Sequence, residues 1–203
     1  MNASPLINAS RSYLARVAKS VVMLFVFGAF LIGAMTAQAQ PATAAPTPAL
    51  AAAKVLSMYN SSGTYADHAG INWYASWSGA AGSDYTIPST TSTVKKYGAL
   101  QYAGVEFYDP SQINAGAYDT LHIDLWTPTA DQFGVKLVSL SPTADPEVDF
   151  LPASGVITSG GWVSLDIPLS QFTSANPGLV LSHLQQLLWI DNLGGGGVVG
   201  ADF

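Results

Sequence analysis

The sequence predicts an all-β protein, an antiparallel β-sandwich most simply closed as a jelly roll, and three observations predict it. From residue 55 onward apolar and polar residues alternate in short runs, the period of a strand with one buried face. Those runs collect aromatic and β-branched residues and are separated by Gly, Pro, Asn and Ser, which interrupt ladders and make turns. No stretch carries a helical pattern long enough for a βαβ crossover, so a parallel sheet is excluded.

Taken in order, basic residues up to Lys19 precede an apolar run over 21–35, and Ala37 and Ala39 then place small residues two apart. This is the pattern of a secretory signal cleaved after Ala39; the apolar run is shorter than the roughly 20 residues of a membrane span. Residues 40–53, rich in Pro, Ala and Thr and uncharged, are expected to form an extended linker. The domain occupies 54–203. Its strands are expected at 54–59, 72–78, 99–108, 120–126, 134–139, 147–152, 162–168 and 186–192, with helical turns only over 169–172 and 181–185. The glycine run 194–197 has no helix after it and reads as a turn, not a phosphate loop.

Composition narrows the function. Of 203 residues 49% are hydrophobic and 10% charged, and there is no Cys, which excludes a disordered polyampholyte, a disulfide miniprotein and a Cys-ligated metal. Without Arg11, Arg16 and Lys19, four lysines face thirteen acidic residues, a formal charge of -9. Nucleic acid is therefore not an expected partner, because a phosphate backbone needs a basic footprint. Membrane binding is not expected after signal cleavage either. Neutral ligands and divalent cations stay open.

Strand alternation assigns faces. In 120–126, Leu121, Ile123 and Leu125 face the core, leaving His122, Asp124 and Trp126 opposite. In 162–168, Val163, Leu165 and Ile167 oppose Trp162, Ser164 and Asp166, and in 147–152, Val148 and Phe150 oppose Glu147 and Asp149. Were these strands neighbours, one sheet face would carry Trp, His, Asp and Glu together. A pyranose presents a C–H face to an aromatic ring and a rim of hydroxyls to short polar groups, so this mixture points to sugar. Trp126 and Trp189 are the expected stacking residues, and His122, Asp124, Lys136, Glu147 and Asp149 the hydroxyl partners. Trp73 and Trp77, four apart and so on one side of a strand, read as core, with Tyr74 as the exposed candidate.

Catalytic patterns are weaker. Residues 147–150 resemble the start of the Glu-x-Asp-x-Glu strand of laminarinase-type glycoside hydrolases, but Leu151 and Pro152 stand where the second glutamate belongs, and retaining hydrolysis needs both carboxyl groups. There is no Gly-x-Ser-x-Gly elbow, and His68, His122 and His183 are too far apart for a zinc pair. Structural calcium is the expected ion, since it takes oxygen ligands; Asp67, Asp84, Asp109, Asp119, Asp145 and Asp202 are loop candidates among which spacing does not choose.

Five stretches together carry a resemblance: 55–65, 70–74, Leu-His-Ile-Asp-Leu-Trp-Thr-Pro at 121–128, Trp-Val-Ser-Leu-Asp-Ile-Pro-Leu at 162–169, and Gln-Leu-Leu-Trp-Ile-Asp-Asn at 186–192. They resemble the non-catalytic, galactose-binding-like β-jelly-roll module attached to bacterial secreted β-glucan hydrolases. The resemblance implies polysaccharide binding on the concave sheet, a structural calcium, and a catalytic glycoside hydrolase as partner. It departs from the family in having no catalytic domain beside it. The family module also ends on one further strand, which would begin at 200–203, so the domain is expected to lack that strand. The function expected is β-glucan-like polysaccharide binding without cleavage; the rivals are a structural or adhesion domain that binds protein and a glycoside hydrolase fragment.

Overall fold

A computed structural model describes residues 39–193 apart from 48, 89 and 192. Residues 1–38 of the signal expected at 1–39, the glycine run at 194–197 and Asp202 lie outside the described residues. Among the described residues nine strands and one α-helix follow in order: β1 (Ala81–Thr86), β2 (Thr93–Gly98), β3 (Tyr102–Glu106), β4 (Thr120–Trp126), β5 (Phe133–Leu140), β6 (Thr143–Ala144), β7 (Glu147–Phe150), β8 (Trp162–Pro168), α1 (Leu169–Ala175) and β9 (Gln186–Ile190). All the strand pairs are antiparallel. The protein is mostly β, as the alternation predicts.

The largest sheet runs β3-β9-β5, with β6 and β7 both on the far edge of β5. Its ladder fixes which side chains share a face. Ala103 pairs with Trp189, which pairs with Val135, which pairs with Val148; one residue away in the pleat, Gly104, Leu188, Lys136 and Glu147 align on the opposite face. The first row belongs to the core, where Ala103, Val105, Val135 and Leu187 are essentially inaccessible. Across the core, β4 and β8 form a two-stranded sheet. In β8 the expected alternation holds throughout, with Val163, Leu165 and Ile167 buried and Ser164 and Asp166 exposed. In β4, Leu125 is buried while Leu121 and Ile123 are half-buried. The helical turn expected at 169–172 extends to the seven residues of α1, which buries Leu169 and Phe172, and a single 3-10 turn covers Leu181–His183.

Three expectations are corrected. The stretches 54–59 and 72–78 are not strands: the first opens on a 3-10 turn at Ala52–Lys54, and each contributes one isolated bridge, Ser57 to Asp67 and Asn72 to Glu106. Conversely, the β1–β2 hairpin has no counterpart among the expected strands. Most of β1 is solvent-exposed, so its Gly, Ser and Asp residues show no apolar alternation, and cross-strand pairs such as Asp84 with Lys95, 2.7 Å apart, align it instead. The 40–53 stretch does not run free of the domain either. The Trp162 indole donates to the Thr43 carbonyl at 3.0 Å and the Tyr65 hydroxyl to the Leu50 carbonyl at 2.7 Å.

Leu187 sits at the centre of this core, 1% exposed. Leu187→Ala is expected to lower the unfolding free energy by about 2–5 kcal/mol, the usual cost of removing a buried leucine side chain. Urea titration of the full chain measures it.

Candidate functional site

The outer face of the β3-β9-β5-β7 sheet holds the densest convergence of aromatic and polar side chains. Tyr102, Gly104 and Glu106 project from β3, Gln186, Leu188 and Ile190 from β9, Gly134 and Lys136 from β5, and Glu147 and Asp149 from β7. Onto this face the 72–79 segment folds back. Asn72 bridges Glu106, and a tight turn bonds Ser78 N–H to the Ala75 carbonyl at 3.0 Å. The turn swings Trp77 over Gly104.

The missing side chain at Gly104 makes this possible: a Cβ there would lie 2.2 Å from the Trp77 ring, well inside contact distance. Gly79 does the same for Tyr102, whose ring would meet a Cβ at 3.0 Å. The two rings are nearly parallel, with centroids 6.3 Å apart and planes 19° off. Each rests one side on a glycine, yet Trp77 and Tyr102 remain 40% and 42% exposed. The result is a rigid aromatic platform open to solvent.

Glu106 lies beside the platform. Its carboxylate accepts from Trp77 Nε1 at 2.6 Å, Asn72 Nδ2 at 3.0 Å and the Tyr108 hydroxyl at 3.1 Å, and Gln186 Nε2 donates to that same hydroxyl. Burial alone would raise the Glu106 pKa, but these donors outweigh it and hold the group below its usual range. It is a fixed, ionised acceptor.

At the β7 end, Glu147 and Asp149 meet across the space left by Gly134. Burial, then the hydrogen bond and the charge of Glu147, push Asp149 up to about 6. Lys136 Nζ sits 3.2 Å from Glu147 and 3.8 Å from Asp145. The two carboxyl groups bond to each other, whereas a retaining glycosidase separates its pair by about 5–5.5 Å.

The residues expected from the sequence divide among four places. Lys136, Glu147 and Asp149 lie on this face. His122, Asp124 and Trp126 project outward from β4, in the separate β4–β8 sheet, so the arrangement expected if all these strands were neighbours does not form. There His122 Nδ1 lies 2.8 Å from Asp166 and Nε2 3.3 Å from Asp124, which accepts from Ser164 at 2.5 Å. Burial works against charging His122, but the two carboxylates outweigh it and raise its pKa. Trp189 points inward instead of outward: register with Val135 puts it on the core side, where its ring stacks 5.8 Å from Phe133. Tyr74 is half-buried rather than an exposed platform, packing over Gly82 and donating to Asp84 at 2.5 Å.

Trp77, Tyr102, Glu106 and Tyr108 are absent from the residues expected. Trp73 and Trp77 do not share a strand side, because 72–78 is turn and not strand; Trp73 goes inward against Tyr59. The 29 residues between Trp77 and Glu106 leave no local signal to pair them. Of the loop carboxylates, Asp67 accepts from Ser57 and Asn60 and Asp84 from Tyr74 and Lys95; among the described residues no group of three His, Cys, Asp or Glu is placed so that it could hold a metal ion. No helix among the described residues is long and apolar enough to cross a membrane. Comparison with protein-family models, with curated proteins and with solved structures finds no match.

The titrating groups set a pH dependence. Asp149, raised from 3.8 to about 6, holds more protons folded than unfolded in that window, so stability falls as pH rises through it. His122, raised above 6.5, contributes stability that is present below that value and lost as pH passes its folded pKa. Asp84 and Glu106, lowered from 3.8 and 4.5, contribute stability that is lost on acidification. The expected outcome is a maximum at about pH 4, where folded Asp149 still holds its proton and Asp84 and Glu106 are still ionised, read from urea midpoints measured across the range. Asp149→Asn is expected to flatten the fall between pH 4 and 6, taken as about the window above.

Proposed function

We propose that this is a secreted, non-catalytic β-sandwich module of the galactose-binding-like jelly-roll kind that binds a neutral, β-glucan-like polysaccharide on the outer face of the β3-β9-β5-β7 sheet. The observation that carries the reading is the Trp77–Tyr102 platform, held against two glycines, with ionised Glu106 at its edge. A sugar ring lays its C–H face on the aromatic surface. Its hydroxyls then donate to Glu106 and exchange hydrogen bonds with Asn72, Tyr108 and Gln186, which the same network already orients.

Further along the row, Leu188 and Ile190 offer apolar floor, and Lys136, Glu147 and Asp149 offer donors and acceptors. Three strand spacings separate β3 from β7, about 14 Å at 4.8 Å each, which suits an extended oligosaccharide better than a single sugar. Three carboxyl groups against one lysine favour a neutral glycan over a uronate-rich one. Binding without cleavage fits the chemistry: Glu106 is held ionised and is a poor proton donor, and Glu147 and Asp149 bond to each other and leave no room for a substrate bond between them. Export rests on the basic, apolar and small-residue succession before Gln40. A catalytic glycoside hydrolase is the fitting partner, since such a module keeps an enzyme near insoluble substrate.

Affinity electrophoresis through gels carrying laminarin, mixed-linkage glucan or xylan tests this, with a reducing-sugar assay beside it. Retardation without sugar release is expected. Trp77→Ala and Tyr102→Ala should each weaken binding about fivefold or more, corresponding to the roughly 1 kcal/mol of a stacking aromatic. Unchanged retardation of both variants, with loss in Trp126→Ala, would move the site to the β4–β8 face and overturn the assignment.

A further inference from the structure

One face of the β1–β2 hairpin meets the segment that carries the aromatic platform. Register places Gly82 opposite Tyr97, Asp84 opposite Lys95 and Thr86 opposite Thr93, and alternation puts all of these in one pleat phase. Gly82 has no side chain, so the Tyr74 ring lies where a Cβ would come within 2.2 Å of it, with the Tyr97 ring centroid 5.9 Å away. The Tyr97 hydroxyl donates to the Trp73 carbonyl at 2.7 Å, and the Tyr59 hydroxyl to the Thr93 carbonyl at 2.7 Å.

Lys95 stands in the middle of this contact. Its ammonium lies 4.7 Å from the centroid of the Tyr59 ring and 5.8 Å from those of Trp73 and Tyr74, each within the ~6 Å reach of a cation–π attraction. It donates to Asp84 at 2.7 Å, and Tyr74 donates to the same carboxylate oxygen at 2.5 Å. Trp73 meets Tyr59 edge to face at 5.7 Å, so the rings form a cage with the acid as its fourth wall. The Lys95 side chain is 17% exposed, and a partly desolvated ammonium is held by aromatic faces more strongly than one in water.

Two of the caging rings belong to the segment that bears Trp77. Its ends are tied to β3 through the backbone: Asn72 exchanges bonds with Glu106 at 2.8 and 2.9 Å, and Gly79 bonds Tyr102 and Gln101 at 2.9 and 3.1 Å. Between those ends the Ala75 N–H reaches the Gly104 carbonyl at 3.3 Å, and Ser78 Oγ accepts from the Gly104 N–H at 3.0 Å. The middle of the segment is therefore gripped from two sides, by Trp77 on β3 and by Trp73 and Tyr74 on the hairpin.

We propose that Lys95 is a positioning residue of the glycan site: its ammonium, caged by Tyr59, Trp73 and Tyr74 and held by Asp84, fixes the 72–79 segment so that Trp77 stays over Gly104. The effect on binding rests on the glycan reading, whereas the clamp itself does not. Lys96 supplies a matched control. It is the next residue of β2 and so points to the other face, where its ammonium lies 5.7 Å from the Tyr85 ring.

Variants of the full chain, with folding checked by urea midpoints, are read in two ways. The first needs no sugar and follows hydrogen exchange at the Ala75 and Gly79 amides, whose bonds hold the segment to β3. Lys95→Met is expected to speed exchange there about threefold, as loss of a cation–π contact implies, while Lys95→Arg and Lys96→Met stay at the parent rate. The second is retardation in gels carrying whichever of laminarin, mixed-linkage glucan and xylan retards the parent. Lys95→Met is expected to weaken it about threefold by the same conversion, Lys95→Arg to restore it, and Lys96→Met to leave it unchanged. In a Trp77→Ala background Lys95→Met should add no further loss, because the lysine acts through that ring.

Parent-like exchange or parent-like retardation in folded Lys95→Met, an equal loss in Lys96→Met, or a loss that adds to that of Trp77→Ala would each overturn the proposal. If none of the three polysaccharides retards the parent, the glycan reading fails and the exchange rates alone decide the clamp. Should Lys95→Met not fold, Asp84→Asn takes its place; faster exchange at Ala75 and Gly79 is again expected, and parent-like exchange would overturn the proposal.

Discussion

The ladder that places β9 between β3 and β5 is the constraint on which the rest of the structure depends. It aligns Val105, Leu187 and Leu137 on one side and Gly104, Leu188 and Lys136 on the other. A slip of one residue would exchange the two sets, sending buried aliphatic side chains to water and Lys136 and Glu106 into the core. The cost of burying those charges locks the register, and the register creates the outer face. Trp77 can then lie on β3 only because the residue presented there is Gly104.

The outer face works through backbone-level fit more than through any single polar contact. Gly104, Gly79 and Gly134 each remove a Cβ where a ring or a carboxyl group must come close. Gly104 and Gly134 stand in strands that already fix their backbone, and Gly79 is held by backbone bonds to Gln101 and Tyr102, so the entropic cost of glycine is exchanged for a close approach of ring to sheet. Glu106 collects its donors from the 72–77 turn, from Tyr108 and from β9. It thereby ties the turn to the sheet and keeps the indole from rotating away.

Much of this was legible in the sequence, for stated physical reasons. β4 and β8 are readable because each buries one face, and alternation reports that directly; β8 follows it residue by residue. The β1–β2 hairpin was not, because most of β1 is solvated and its alignment rests on cross-strand pairs. Trp189 was misplaced because Leu187, Leu188, Trp189 and Ile190 are apolar in both phases, so no pattern says which phase is inside; only pairing with Val135 decides. Lys136, Glu147 and Asp149 were found because they stand in strands with clear phase. Trp77 and Glu106 were missed because a long-range turn joins them.

β9 links the two surfaces of the molecule. Leu187 and Trp189 face the core, where Trp189 stacks on Phe133, while Gln186, Leu188 and Ile190 belong to the outer face, and these side chains alternate on one five-residue strand. The packing of Leu187 and Trp189 on the core therefore holds from behind the strand whose other side chains make up the outer face, so the arrangement of that face rests on the core beneath it.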